Sequence, residues 1–271
     1  MRALQAEIIA EMGVKPTIDP AEEVERRIQF LIDYAAAANA QGFVLGISGG
    51  VDSTLAGRMA QLAVERMGDH ANFVGVRLPY GVQLDEEDAQ AAMDFVGART
   101  SVTINIRDAV DGMENAYESG LGKQITDFNK GNVKARSRMI AQYAIAGDHG
   151  LLVIGTDHGA ESVTGFFTKY GDGGADILPL FGLNKRQIRS MLEYMGAPAF
   201  LYEKLPTADL LDDKPLQADE AELGLDYDDI DDYLEGREID EEIAARIEAI
   251  WKRSRHKRTT PVSILDDWWR D

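Results

Sequence analysis

The chain has 271 residues, 45% of them apolar and 28% charged, which excludes wholesale disorder and fibrous architecture and suits one large α/β domain with appendages. Its 28 basic and 47 acidic residues leave a formal charge of −19, so no global electrostatic footprint for nucleic acid exists. No cysteine is present, no apolar run approaches a membrane span, and the opening MRALQAEIIAEMG is an amphipathic stretch rather than a signal peptide; a cytoplasmic protein without nucleic-acid or membrane partners is expected.

Helices are expected over about residues 1–40. Asp19 and Pro20 read as an N-cap and first helical position, with Val24, Ile28, Leu31 and Ile32 on one face. A β-prone run over 43–47 then meets Ser-Gly-Gly and a helix over 53–67. The alternation repeats as a strand at 73–78, a helix near 86–96, a strand at 102–106 and a helix near 107–117. A long helix over 129–146 leads to a buried-type strand at 151–155 and a helix near 160–166. Repeated strand–helix alternation predicts a doubly wound, Rossmann-like parallel sheet with helices on both faces.

The rest is less regular. Residues 168–176 form a polar, glycine-rich loop, and a helix is expected near 185–195. From Asp219 to Glu242, thirteen acidic residues face one arginine, interleaved with Leu223, Leu225, Tyr227, Ile230, Tyr233 and Leu234, which predicts solvated short helices. A basic cluster over 251–258 and an Ile264 to Trp269 segment close the chain, the tryptophans being expected to dock on the body. The whole reads as a single domain, 1–271: N-terminal helices, a nucleotide-binding core over about 41–205, and an acidic extension with a basic, tryptophan-rich tail over about 206–271.

The strongest chemical signal is Gly46, Ile47, Ser48, Gly49, Gly50, Val51, Asp52 and Ser53 between a strand and a helix. Small residues let backbone N–H groups approach phosphate oxygens, the hydroxyls of Ser48 and Ser53 add donors, and the helix aims its positive end at the anion. Asp52 would repel phosphate unless a hard cation lay between them, which implies Mg²⁺. No lysine follows the glycines, so this is not the kinase-type loop, nor is it Gly-x-Gly-x-x-Gly. The bland alternative is a glycine-rich turn.

The motif resembles the Ser-Gly-Gly-x-Asp-Ser loop of the ATP pyrophosphatase superfamily, whose members cleave ATP between its α and β phosphates. With residues 126–139, 155–161 and 165–176, and with shorter matches at 15–20, 206–210, 229–233 and 256–258, nearly the whole chain is similar to NAD synthetases. That resemblance implies an adenine nucleotide alpha-hydrolase-like fold, with Mg²⁺- and ATP-dependent amidation of deamido-NAD by way of an adenylated dinucleotide. Glutamine-using relatives need a nucleophilic cysteine in an added domain, so free ammonia is the expected nitrogen donor. A homodimer binding the dinucleotide across two subunits is also implied.

Carried over by position, the resemblance implies ATP contacts from residues 46–53, Arg77, Thr156, Lys185 and Thr207, and Mg²⁺ ligands in Asp52 and Glu161. It implies deamido-NAD contacts from Phe128, Asn132, Arg136, Lys169, Asp176, His256 and Lys257. Asp172 is the candidate to orient ammonium or take its proton, since only neutral ammonia is nucleophilic. His158, beside Thr156, could touch ligand, but the ordinary polar-loop reading is preferred, and read without the family Lys185 would be a surface helix lysine. Other amidating or thiolating adenylases, and a nucleotide sensor without turnover, remain the rival readings; pyrophosphate and AMP release separates them.

Overall fold

The computed structural model describes residues 2–82, 86–204, 207–208, 210, 212, 217–259 and 261–270, with the backbone alone at 207–208 and 217–218. Helices α1 (Ala3–Met12) and α2 (Pro20–Ala37) precede strand β1 (Gly42–Gly46). Then come α3 (Val51–Met67), β2 (Asn72–Arg77), α4 (Glu86–Val96), β3 (Thr100–Thr103), α5 (Arg107–Leu121), α6 (Asp127–His149) and β4 (Leu152–Val153). Asp19 caps α2 as expected, its carboxylate accepting from the N–H groups of Ala21 and Glu22 at 2.8 and 3.1 Å.

The strands are parallel and lie in the order β3, β2, β1, β4. Val44 pairs with Val74 on one side and Val153 on the other, and a bridge from Ile154 to Ile177 continues the β4 edge. Alternation sorts the side chains onto two faces. Phe43, Leu45 and Phe73 pack with α2, α3 and α4, whereas Val44, Val74 and Val76 pack with Val110 of α5 and Ala146 of α6. The doubly wound sheet is therefore present. Its order reverses between β1 and β4, and such a reversal opens a crevice at the carboxyl ends of the strands.

The remaining elements are α7 (Gly159–Thr164), α8 (Lys185–Tyr194), α9 (Ala199–Tyr202), the paired β5 (Thr207–Ala208) and β6 (Gln217–Ala218), α10 (Asp219–Leu223), α11 (Tyr227–Leu234) and α12 (Glu241–Arg258). Ile188, Met191 and Leu192 of α8 and Leu201 of α9 join the core of α2 and α3, while α7, α10, α11 and α12 build a second one with α1. Ile8 and Met12 of α1 meet Leu223, Tyr227, Ile230, Tyr233, Ile247 and Trp251 there. The apolar residues of the acidic run thus build a core, while most of its carboxylates face outward.

Two expectations are corrected. The third strand lies at Thr100–Thr103, because Ile104 and Ile106 bond back to Arg77 and Pro79 and Ile106 starts α5. At the terminus Trp268 stacks under Arg255, but Trp269, Ile264 and Leu265 are exposed, and the Trp269 indole N–H donates only to the nearby Asp266 carbonyl. No helix among the described residues is long and apolar enough to cross a membrane.

Candidate active site

Beyond β1 the chain keeps one more sheet contact, Ile47 N–H to the Val76 carbonyl, and then turns sharply. Gly49 takes φ +87°, which L side chains rarely adopt, and passes so close to α4 that a Cβ would lie 2.8 Å from Ala89 Cα. Ser48 Oγ accepts from Gly50 N–H at 3.2 Å and lies 3.2 Å from Ser53 Oγ, tying the two ends of the turn together. Gly50 is the N-cap of α3, so Val51, Asp52 and Ser53 occupy its first turn, two residues earlier than the pattern predicts. First-turn N–H groups have no partner within a helix, and here they border a cavity of about 390 Å³.

Asp52 pairs with Lys185 at the wall of this cavity. The ammonium lies 3.1 and 2.9 Å from the two Asp52 oxygens, 3.9 Å from Glu161 Oε1 and 4.7 Å from the centre of the Tyr227 ring. His158 Nε2 lies 3.2 Å from Lys185 Nζ and 3.5 Å from both Asp52 and Glu161. Burial penalises the charged forms, but the opposite charges outweigh it: Asp52 is held below the usual carboxylate range by Lys185 and His158, and Lys185 above its ordinary value by Asp52 and Glu161. Ligand atoms of Asp52, His158 and Glu161 lie within 4.8 Å of one another. Two carboxylates close together at the wall of this cavity suit a hard cation, so the residues present fit Mg²⁺.

The reading of His158 as a polar loop residue is corrected: it is fully buried at the centre of this cluster. Lys185 is likewise 1% exposed rather than a surface lysine, as the resemblance but not its local sequence implied. The acidic extension places it. Asp231 accepts from the N–H groups of both Lys185 and Arg186, at 3.1 and 2.7 Å, and Glu235 accepts from the Asn184 amide at 2.8 Å. Asn184 completes a capping box with Gln187. Asp231 of α11 and Glu235 just after it therefore fix the start of α8, and the first residue of α8 delivers the ammonium.

Of the other expected nucleotide residues, Gly46, Ile47, Ser48, Gly50, Val51, Asp52, Ser53 and Thr156 line the cavity, as do Glu161 and Lys185. Gly46 is held by its N–H donating to Gln142 Oε1 at 2.8 Å. Arg77 is not brought to the cavity wall. It is buried at the end of β2, and its guanidinium pairs with Glu86 at 2.8 Å. The Thr207 side chain lies outside the described residues, as do Pro206 and Asp209.

Toward the far end, Phe128, Asn132, Asp172 and Lys257 also line the cavity. Asn132 Oδ1 accepts from Thr168 Oγ1 at 3.0 Å, and Lys257 Nζ donates to the carbonyls of Gly165 and Phe167 at 2.8 and 2.7 Å, which holds the segment before the glycine-rich loop. Asp172 accepts from Thr168 N–H at 3.0 Å. The residue is exposed at the rim, yet desolvation of its carboxyl, aided by the charge of Glu161, pushes it up to about 6. Asp157, missed in the sequence, stands behind Glu161; burial and that charge push it up to about 8, so it adds little negative charge near neutrality.

Arg136, Lys169 and His256 gather outside the cavity. Arg136 donates to the Lys169 carbonyl at 3.2 Å, and Lys169 Nζ to the His256 carbonyl at 2.8 Å. Asp176 is not among them: its carboxylate accepts from Val153 N–H at 2.8 Å and Tyr143 OH at 3.1 Å, which secures the β4 edge.

Comparison with known proteins agrees with this geometry. The family model described as NAD synthase matches residues 23–261. The NH(3)-dependent NAD(+) synthetase of Leifsonia xyli is 60% identical, with 99% of this chain and 98% of that protein covered. The crystal structure of NAD+ synthetase from Burkholderia pseudomallei superposes with a TM-score of 0.82 at 48% identity, covering 96% and 97% of the two chains. The structure of NMN synthetase from Francisella tularensis gives a TM-score of 0.81 at 33% identity, covering 91% and 99%. A parallel sheet with its glycine-rich turn, acid pair and buried lysine at the switch point, matched along the full chain, places this protein in the NAD synthase family.

Proposed function

We propose that the chain is an ATP-dependent ligase that amidates the nicotinate carboxylate of deamido-NAD with free ammonia, releasing AMP and pyrophosphate. The observation that carries this reading is the pairing of Lys185 with Asp52 beside Glu161, directly over the Ser48 to Ser53 turn. Asp52 and Glu161 would hold Mg²⁺, which when bound offsets the negative charge of the phosphate oxygens.

In the first step a carboxylate oxygen attacks the α-phosphorus, and the bond from that phosphorus to the bridging oxygen breaks. Pyrophosphate leaves with the electron pair. The turn's N–H groups and the Ser48 and Ser53 hydroxyls orient the departing phosphates, and the Lys185 ammonium opposes the charge they gain. In the second step the nitrogen of ammonia attacks the acyl carbon and AMP departs. Asp172, near 6, is deprotonated at neutral pH and takes the proton that ammonium must lose. The chain has no cysteine with which to release ammonia from glutamine.

Phe128 offers a stacking face and Asn132 and Lys257 polar contacts for the dinucleotide, whose two phosphates also suit the Arg136, Lys169 and His256 cluster. A homodimer fits the exposed Met113 and Leu121 of α5 and Phe128 and Ile140 of α6. Product analysis tests the activity. Equal AMP and pyrophosphate, formed only with both deamido-NAD and ammonium present, supports it; nucleotide binding without release indicates a sensor, and ADP with orthophosphate refutes adenylation.

A further inference from the structure

We propose that Lys185 is the resident counter-ion of Asp52 and Glu161 and competes with the divalent cation, so that the metal enters with the nucleotide rather than ahead of it. This rests on the reading of Asp52 and Glu161 as the residues that hold Mg²⁺.

Both Asp52 oxygens are already engaged by the ammonium, at 3.1 and 2.9 Å, and Glu161 lies 3.9 Å from it. With Lys185 in place the two carboxylates and the ammonium together carry a single net negative charge, and His158, 3.5 Å from both carboxylates, adds none. A dication arriving alone would sit beside a buried ammonium that is 1% exposed, where little water screens the repulsion. The ammonium must then leave Asp52, and its other neighbours are poorer partners: His158 Nε2 at 3.2 Å carries no negative charge, the Tyr227 ring at 4.7 Å is a weak acceptor, and the Asp219 carboxylate, which also attracts the ammonium, is engaged by the Tyr227 hydroxyl at 3.4 Å. The phosphates of ATP, beside the same cavity wall, supply the missing anion. Nucleotide therefore releases Asp52 to the metal, and metal and nucleotide bind with positive coupling.

The test is Mn²⁺ binding, followed by electron paramagnetic resonance, to the full chain without nucleotide. Wild type and Lys185→Arg should bind weakly, and Lys185→Met at least about tenfold more tightly, the added repulsion being gone. The double variant Asp52→Asn, Lys185→Met should lose that gain. Mg²⁺ should also raise the melting temperature of Lys185→Met and leave that of wild type unchanged.

Equal affinity in wild type and Lys185→Met overturns the proposal, as does a Lys185→Met protein that fails to fold even with Mg²⁺ in excess, because the dication would then be unable to replace the ammonium. A final arm adds a non-hydrolysable ATP analogue to wild type and Asp52→Asn. If Asp52→Asn takes up Mn²⁺ as well as wild type there, the metal-site reading itself falls; failure of the Lys185→Met arm alone removes only the competition.

Discussion

Replacing Gly49 with alanine probes whether the turn is glycine-rich for steric reasons. Gly49 has φ +87°, and an added Cβ would lie 2.8 Å from Ala89 Cα and 2.9 Å from Ala89 N. These are backbone atoms of α4, which cannot rotate aside as a side-chain tip can. The left-handed conformation costs about 1–2 kcal/mol for an L residue, and overpacking adds about 1–3 kcal/mol. Reduced freedom of the unfolded chain returns about 0.4–1 kcal/mol. A net loss of about 2–4 kcal/mol is expected, a large part of a stability that is typically about 5–15 kcal/mol. Gly50 is the control. Its φ is −80°, and only the Ser48 hydroxyl, at 3.3 Å, approaches the added carbon, so Gly50→Ala should cost about 1 kcal/mol as a poorer N-cap. Urea unfolding of both variants at comparable m-values gives the comparison. A Gly49→Ala protein within about 1 kcal/mol of Gly50→Ala would refute the steric argument.

Asp172→Asn should slow amidation by about 100-fold at saturating ammonium and flatten the pH profile of kcat near 6; an unchanged rate and profile would remove Asp172 from proton transfer. The folded-state value near 6 lies above the ordinary 3.8, so the native state holds the proton more tightly, and wild type should lose stability relative to Asp172→Asn as pH rises from 3.8 to about 6, measured by urea unfolding across that range. His158→Ala should cost about 2–4 kcal/mol through a buried void and raise the KM for ATP more than that for the dinucleotide; equal KM shifts would contradict its place beside Asp52 and Glu161. Lys257→Met frees the carbonyls of Gly165 and Phe167 and should raise the KM for the dinucleotide with little change for ATP, as steady-state kinetics with each substrate varied would show.

The turn over 46–53 was legible because its chemistry is contiguous: glycines, hydroxyls and one carboxylate between a strand and a helix determine what they can bind without help from elsewhere. The doubly wound sheet was legible for a similar reason, since period-two apolar runs alternate with helical ones. Lys185 and His158 were hidden from local reading because their role depends on distant partners. Lys185 stands 133 positions from Asp52 and reaches it only because Asp231 and Glu235 organise the start of α8. Arg77 has a partner that local reading did not show. It ends a strand beside the crevice, as nucleotide-binding arginines can, but Glu86 at the start of α4 engages it. Asp176 likewise serves the β4 backbone, a partnership that no spacing along the chain reveals.

The most direct test of adenylation uses deamido-NAD whose nicotinate carboxylate carries heavy oxygen, followed by mass spectrometry of the nucleotide products after one turnover with ATP and ammonium. Attack of the carboxylate on the α-phosphorus predicts one labelled oxygen in AMP and none in pyrophosphate. Label in orthophosphate alongside ADP would contradict it.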